Sequence, residues 1–507
     1  MLRHLSLTTA LWSFGTYLVV WVALSISILH MLEVDYVSTF LAPAPTPTKL
    51  SYHQRRNISV DEAFLELYNY SSCFRLVDYG IVDAIQSKVV CAPGGADGTS
   101  ITALPADELW TDGSVWRNFG LDLRNAEALA PIADPSEDGQ NHDPRFKYTP
   151  GRVMCAQCAH HGSPTPLLAH VFPQNANDST PMTWRCDHRE HGVYDTRFEE
   201  PVVLVARKDD HNPFFLLSAA FDAWIVVTKQ LRWQPSARVV FLDTGVAMPY
   251  DTIFQKLLGP ARPVVYGSDL LGKRVGFDNA VFVPFEQFGP LMQHLNDDQP
   301  CLESYLVRDF RDAVLAAFDM PRAAHPLVHR PGATCLVTII SRRPIRGRAV
   351  NRMWANEEDI LLSMIDKYGS DCTFQSVDFA ELTAAEQIAT VAASRVLIGM
   401  HGAGLANVLF AAPHTFVIEI FPIMTDRFGF RNICQYLGLE YVAFRDGMDT
   451  IWPTQHKTIA MDEWFRVFDL VMDVVLTPAT KKAFEERKVV QRQIHRQHVL
   501  ATEFHDA

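Results

Sequence analysis

From residue 201 onward, short apolar runs alternate with longer stretches of helical character, and this alternation narrows the possible folds more than any other feature of the chain. PVVLVAR (201–207), ARVVFLDTG (237–245), PVVYG (263–267) and NAVFVP (279–284) read as buried strands, with helices expected over 214–231 and 303–318. MPRAAHPLVHRPGA (320–333) reads as a linker, and the alternation restarts beyond it. TCLVTIIS (334–341), TFQSVDF (373–379), RVLIGMH (395–401) and TFVIEIFP (415–422) are strand-like, while NEEDILLSMIDKYG (356–369), TAAEQIATVAAS (383–394) and GLANVLFAA (404–412) are helical. Short apolar strands interleaved with helices imply parallel sheets covered on both faces. The fold class is therefore α/β, with two doubly wound domains, 201–325 and 326–480, facing a cleft. In such sheets ligands bind beyond the carboxyl ends of the strands.

The N-terminus carries a different message. Residues 11–29 (LWSFGTYLVVWVALSISIL) hold no charge, and as a helix they span about 28 Å, one hydrocarbon core. Arg3 precedes them and Glu33 and Asp35 follow, so the tail is expected in the cytosol and the body in the lumen. A cleaved signal peptide is the alternative, but the run exceeds an h-region of about 7–15 residues. The expected order is a cytosolic tail (1–10), a transmembrane signal anchor (11–31), a stem (32–60) with the proline-rich spacer LAPAPTPTKL, and an irregular lumenal region (61–200) packed on the catalytic body. A C-terminal helix or tail (481–507) closes the chain. That is the layout of a single-pass type II protein of the Golgi or endoplasmic reticulum membrane. Sequons at Asn57, Asn69 and Asn177 agree with a lumenal body.

A formal charge of −13 argues against non-specific nucleic-acid binding. The cysteines stand at 73, 91, 155, 158, 186, 301, 335, 372 and 434. Their number is odd, so at least one thiol stays free. Cys155-x-x-Cys158 with His160, His161, Cys186, His188 and His191 has metal-ligand spacing. In a lumenal protein a local disulfide loop is the preferred reading, and no metal is expected. Cys335, inside an apolar run, reads as a buried free thiol.

The sharpest local signal is Gly399-Met-His-Gly-Ala-Gly-Leu-Ala-Asn407, which places glycines between a buried strand and a helix. Gly402 and Gly404 permit close approach of a ligand, and a helix starting near Gly404 offers unpaired N–H groups to a pyrophosphate. His401 stands at the strand edge, where it can donate to phosphates; a turn whose glycines serve packing alone is the plain alternative. Glu419 in the apolar strand VIEIFP needs partners: either ribose hydroxyls or a nearby Arg427 or Arg431. Ser341-Arg-Arg-Pro-Ile-Arg-Gly-Arg348 can clamp phosphates through forked hydrogen bonds or be a solvated basic loop. Asp209-Asp-His-Asn212 lies after a strand of the first sheet. It can face the cleft, and Asn212 can cap the helix that opens with Pro213.

At HGAGLANVLFAAPHTFVIEIFP (401–422), with ISRR (340–343) and NEEDIL (356–361) upstream, the chain resembles glycosyltransferase family 61. This family includes plant β-1,2-xylosyltransferases, the EGF-domain O-GlcNAc transferase and the O-mannose β-1,4-GlcNAc-transferase. The resemblance covers about 202–446, and the order of segments is closest to the xylosyltransferase branch. It implies a GT-B fold, inversion of configuration, and transfer of xylose or GlcNAc from a UDP-sugar to a glycan or glycoprotein acceptor without a bound metal. It also implies that Arg342, Arg343, His401, Gly402, Ala403, Gly404, Leu405 and Glu419 bind the donor and that Asn212 lines the cleft. The chain departs from the family at Asn212-Pro-Phe-Phe215 and Ala219, where relatives carry Asn-x-x-His and then an acidic residue. Asp243, His211, Asp209 and Asp222 remain as candidates for the base that deprotonates the acceptor. The same departure motivates the alternative of a catalytically inactive glycan- or nucleotide-binding scaffold. A nucleotide-dependent oxidoreductase is disfavoured because HGAG lacks G-x-G-x-x-G spacing.

Overall fold

Strand-forming runs of the sequence appear as strands where their residues are buried on both faces. In the computed structural model, VVLV forms β4 (Val202–Val205) and FVIEI forms β11 (Phe416–Ile420), every residue of each being buried. The structure describes residues 76–476 apart from loops, the longest being 129–145, 161–185 and 321–334. The anchor and stem expected over 11–60, the sequons Asn57, Asn69 and Asn177, and the tail 481–507 lie outside the described residues. Among the described residues no helix is long and apolar enough to cross a membrane. All of them belong to one compact unit, Leu67–Lys482.

Among the described residues the first sheet has eleven strands. Its parallel part is β4, β5 (Arg238–Phe241), β6 (Val265–Tyr266) and β7 (Arg274–Phe282), in the order β6-β5-β4-β7. The expectation of an irregular 61–200 is corrected here. Three strands, β1 (Lys88–Pro93), β2 (Ser100–Ala103) and β3 (Ser114–Asp122), extend the sheet from β7 in antiparallel fashion. Aromatic packing explains the pairing. Trp116 and Phe119 of β3 lie against Phe282 and Phe277 of β7, with ring centroids 5.5 and 5.1 Å apart. Such pairs add to area burial.

The second sheet is wholly parallel, in the order β9-β8-β10-β11-β12, with β8 Cys335–Ser341, β9 Cys372–Asp378, β10 Val396–Met400 and β12 Glu440–Phe444. Cys335 is not a free thiol. It is disulfide-bonded to Cys372, with Cα atoms 4.4 Å apart. Each cysteine opens its strand and the two are direct register partners. Cys91, Cys155 and Cys301 are also disulfide-bonded, while Cys434 is free and buried.

Helices cover both sheets. Asn212 caps α1 (Pro213–Trp224), accepting from the Phe214 N–H at 3.0 Å, and the helix continues as a π-helix over Ile225–Gln230. α2 (Asp251–Leu258) and α3 (Tyr305–Ala317) also belong to the first half. The second half holds α4 (Glu357–Tyr368), α5 (Ala384–Ala393), α6 (Gly429–Leu437) and α7 (Met461–Leu476). α5 starts with a reciprocal capping box between Thr383 and Glu386.

The helix expected at 404–412 is a 3₁₀-helix, Ala403–Phe410. Length accounts for this. The crossover must run back along a five-residue strand, about 17 Å. Eight residues reach about 12 Å as an α-helix but about 16 Å as a 3₁₀-helix.

Strand alternation sorts the core into layers. Val203 and Val205 of β4, and Leu397 and Val417 of the second sheet, face one inner core that also takes α1, α2, α3, α5, α6 and the 3₁₀-helix. Val202 and Leu204 face an outer core of the first sheet; Ile398 and Ile418 face an outer core of the second.

Candidate functional site

The order of the second sheet reverses between β8 and β10, and these adjacent strands deliver two sequence motifs to one edge. Ile340 of β8 pairs with Gly399 of β10. Beyond them Ser341-Arg342-Arg343 and His401-Gly402-Ala403-Gly404 emerge side by side. A crevice at such a reversal is where open parallel sheets bind ligands. The Arg342 guanidinium lies directly against Gly402, where a Cβ would stand 2.0 Å from Nη1. Arg342 Nε donates to the Asn351 carbonyl at 3.2 Å. A Cβ at Gly399 would stand 3.1 Å from Leu405 Cδ2, and Leu405 N–H closes the first 3₁₀ turn on Gly402 O at 3.0 Å. The N–H groups of Ala403 and Gly404 open the helix, so they have no carbonyl within it and form its positive end.

His401 is held tightly. Its Nδ1 lies 2.5 Å from Glu419 Oε1, its ring stacks on Phe421 at 5.2 Å, and Phe430 tilts over it at 5.7 Å. The Tyr441 hydroxyl donates to the other oxygen of Glu419 at 2.6 Å. Burial, reinforced by Glu419, pushes the Tyr441 phenol far above its ordinary value, so it stays protonated. Glu419 is 1% exposed with both oxygens engaged. The expectation that it accepts from a ribose, or from Arg427 or Arg431, is corrected: its partners are His401 and Tyr441. Arg431 rests instead on the Phe428 ring at 4.1 Å.

The two neighbouring arginines diverge. Arg343 Nε donates to Ser341 Oγ at 3.1 Å and its Nη2 to Ser376 Oγ at 3.3 Å, and its side chain is 61% exposed. Glu357, the first residue of α4, accepts from the same two hydroxyls at 3.0 and 2.5 Å. ISRR and NEED thus interlock, and Arg343 is turned toward β9 while Arg342 covers the glycine turn. Of the two arginines, Arg342 alone lies at the glycine turn.

The base candidates separate sharply. Asp243 is fully buried and takes a forked pair from Arg207, at 2.8 and 3.0 Å, plus the Gly245 N–H at 2.9 Å. Arg207 also reaches Asp251 at 3.2 Å, whose carboxyl is raised chiefly by burial. Tyr266 donates to Asp251 at 3.1 Å, and burial pushes its phenol up to about 12. Asp243 is therefore a buried structural carboxyl group that links the ends of β4 and β5, not an exposed base. Asp222 is likewise fully buried, and a Cβ at Gly289 would stand 2.1 Å from its oxygens. Asn212 serves as the cap of α1. Asp209 and His211 lie outside the described residues.

The carboxyl edges of the two sheets converge on the same aromatic cluster. Phe214, at the start of α1, lies edge-on to Phe430 at 6.1 Å, and Phe430 abuts His401. Behind the turn, Tyr250 at the entry to α2 donates to Gln387 of α5 and accepts from Asn407 at 2.7 Å. All three are buried. Asn407 closes the glycine motif, but neither Tyr250 nor Tyr441 carries a local signal that marks it. Among the described residues no cluster of His, Cys, Asp and Glu could hold a metal ion.

Comparison with known proteins bears on this geometry. The family Glycosyltransferase 61 matches residues 249–418. The chain is 24% identical over 288 residues to β-1,2-xylosyltransferase of Arabidopsis thaliana, covering 50% of this chain and 53% of that protein. It is 30% identical over 211 residues to the EGF domain-specific O-linked N-acetylglucosamine transferase of Drosophila melanogaster, covering 40% and 37% respectively. Against the protein O-linked-mannose β-1,4-N-acetylglucosaminyltransferase 2 of Mus musculus it is 24% identical over 265 residues, covering 49% and 43%. The matched part thus spans about half or less of the length of these relatives.

Proposed function

The chain belongs to glycosyltransferase family 61, and from that premise we propose that it is an inverting glycosyltransferase that moves xylose or GlcNAc from a UDP-sugar to a glycan or glycoprotein. The observation that carries this reading is the Arg342 guanidinium lying on Gly402 beside His401 at the reversal of the second sheet. A cation, a histidine and a positive helix end meet there, a combination suited to a diphosphate. The reading includes a GT-B arrangement, with the acceptor on the side of the first sheet near Asn212.

The chemistry is a single displacement at the anomeric carbon. The acceptor oxygen forms a bond to C1 and the bond from C1 to the phosphate oxygen breaks, leaving its electron pair on UDP. The acceptor proton passes to a base. With Asp243 and Asp222 buried, Asp209 and His211 are the candidates in the short connection from β4 to Asn212. Charge on the leaving diphosphate is met by preorganised donors in place of a metal. The Cys335–Cys372 bridge and the three further disulfide-bonded cysteines, Cys91, Cys155 and Cys301, support an oxidising lumenal compartment. A type II anchor at 11–31 in the Golgi or endoplasmic reticulum membrane completes the proposal.

Burial of two of the four base candidates also motivates a second reading, a nucleotide-binding scaffold without turnover. One experiment divides the two. The full-length protein in detergent is offered UDP-xylose, UDP-GlcNAc and other UDP-sugars with an N-glycan mixture, with and without a chelator. Consumption of one donor regardless of chelator is the expected result. UDP binding without consumption of any donor supports the scaffold, and absence of UDP binding overturns both.

A further inference from the structure

The Arg342 guanidinium is tied to a strap of backbone. Its Nε donates to the Asn351 carbonyl at 3.2 Å, and Asn351 opens the segment 351–356 that leads into α4. Two short antiparallel strands, β13 (Met448–Asp449) and β14 (Lys457–Thr458), form a hairpin after β12. The strap runs along that hairpin. The Arg352 N–H donates to the Thr454 carbonyl at 2.7 Å, the Lys457 N–H to the Met353 carbonyl at 2.8 Å and the Ala355 N–H to the Lys457 carbonyl at 2.7 Å. Two side chains complete the seam. His456 Nδ1 accepts the Met353 N–H at 3.1 Å. Asn356 forks onto Ile459, donating to its carbonyl at 2.8 Å and accepting its N–H at 3.1 Å.

Strain and burial both mark the seam as imposed by its contacts. Arg352 and Gln455, one on each side of it, hold φ +58° and +47°, a left-handed conformation that side-chain-bearing residues keep only where their surroundings dictate it. Trp354 of the strap is buried against Trp464, with ring centroids 4.9 Å apart. Lys457, wholly buried, donates to the Asp446 carbonyl at 3.1 Å and closes the base of the hairpin. The Asn351 carbonyl is thereby fixed, and with it Nε of Arg342. The far end of the same guanidinium, Nη1, is the part that lies on Gly402. Arginine suits this division, because its donors share one rigid plane and fixing Nε orients the terminal nitrogens. A lysine, whose donors share a single nitrogen, lacks that lever.

We propose that His456 and Asn356 are positioning residues for sugar transfer, holding the strap to the hairpin so that the Asn351 carbonyl aims the Arg342 guanidinium at the diphosphate. The inference rests on the glycosyltransferase reading of the glycine turn and adds to it the hairpin that steers its cation. Neither residue touches substrate in this assignment. Chemistry separates the role of His456 from a direct contact with the donor. The seam uses only Nδ1 as an acceptor, and the Oδ1 of an asparagine stands the same number of bonds from the backbone. His456→Asn therefore keeps the seam, whereas His456→Leu breaks it. A residue that acts through Arg342 also costs no more than removal of Arg342, and its effect disappears once Arg342 is gone.

Two measurements on the full-length protein in detergent test this. The first is kcat/KM for the UDP-sugar, corrected for the folded fraction. Asn356→Ala and His456→Leu should each lose about tenfold, inside the loss on the order of 100-fold that follows a misplacement of about 1 Å. His456→Asn should return to within about twofold of wild type. In an Arg342→Ala background both losses should shrink below about twofold. Equal losses in the two backgrounds overturn the proposal, as do wild-type rates in both single variants. An asparagine variant as poor as the leucine variant overturns it too, since the imidazole would then act directly. The second measurement needs no turnover. In ¹⁵N-arginine-labelled protein, Arg342→Lys identifies the Nε–H resonance. Its protection from exchange with water should persist in His456→Asn and fall at least about tenfold in Asn356→Ala and His456→Leu. Unchanged protection in those two variants overturns the proposal. Failure of the wild-type protein to consume any UDP-sugar undoes the functional reading, while the Nε–H spectrum still decides whether the hairpin positions Arg342.

Discussion

Replacing Gly402 by alanine tests whether the glycine turn works by admitting the Arg342 guanidinium. The added Cβ would stand 2.0 Å from Arg342 Nη1. Carbon and nitrogen need about 3.5 Å, so the guanidinium must retreat by about 1.5 Å. A positioning error of about 1 Å costs on the order of 100-fold in rate, or about 2.7 kcal/mol of activation free energy. Gly402 has φ +159°, at the edge of the region that favours glycine, which adds a backbone cost of about 1 kcal/mol to folding. The assay is therefore a double-mutant cycle in kcat/KM, with chemical denaturation alongside. Gly402→Ala should lose about 100-fold in the wild-type background and little more in Arg342→Ala, because the displaced group is already gone. Equal losses in both backgrounds would show a backbone effect and refute the reasoning. So would a wild-type rate in the single variant.

His401→Ala and Arg342→Ala should each reduce turnover by at least about 100-fold, the scale for one preorganised donor; Arg343→Ala, turned toward Ser376 and Glu357, should cost far less in the same assay. Replacing Cys335 and Cys372 by serine opens a link with sequence separation 37, and denaturant titration should show a loss of about 4 kcal/mol on the chain-entropy scale. Tyr250→Phe leaves Gln387 and Asn407 without their shared hydroxyl, which should cost about 1–3 kcal/mol of stability by the same titration. Burial opposes ionisation of Asp469, but hydrogen bonds from Lys367 and Tyr368 outweigh it and hold the carboxyl below its ordinary value. Its contribution is thus present at neutral pH and lost as pH falls through the lowered value. Asp469→Asn should cost roughly 0.5 kcal/mol at pH 7, a difference that denaturation at pH 2 should no longer show.

Strands β4, β5, β8, β10 and β11 were legible because burial on both faces is written into each run of consecutive apolar residues. β3 was not: SVWRNFGLD mixes Arg117 and Asn118 with its aromatics, and it becomes a strand by pairing with β7, far along the chain. The glycine motif and ISRR stand out in the sequence, and the sheet order brings them together at one edge. The assignment of both arginines to one ligand overlooked local geometry, since successive residues leaving a strand point to opposite sides. Glu419 was correctly singled out as a carboxylate in need of partners. Its partners come from two neighbouring strands, and a single run of sequence does not contain that register. Asp243 reads as a base candidate because nothing in ARVVFLDTG announces Arg207, which follows β4 and pairs with it.

The inner core has a consequence for anyone recombining members of the family. In the sequence the stretch 320–333 looks like a natural seam at which to join the first half of one family member to the second half of another. Yet Phe214, Phe221 and Phe310 share a single apolar cluster with Leu405, Phe410 and Ile433, and Tyr250 reaches across to Asn407. A chimaera cut at the linker would divide that cluster and mismatch its surfaces. The glycine turn is therefore inherited together with α1 and α2, and a transplant that succeeds must carry those helices, or their facing residues, with the second sheet.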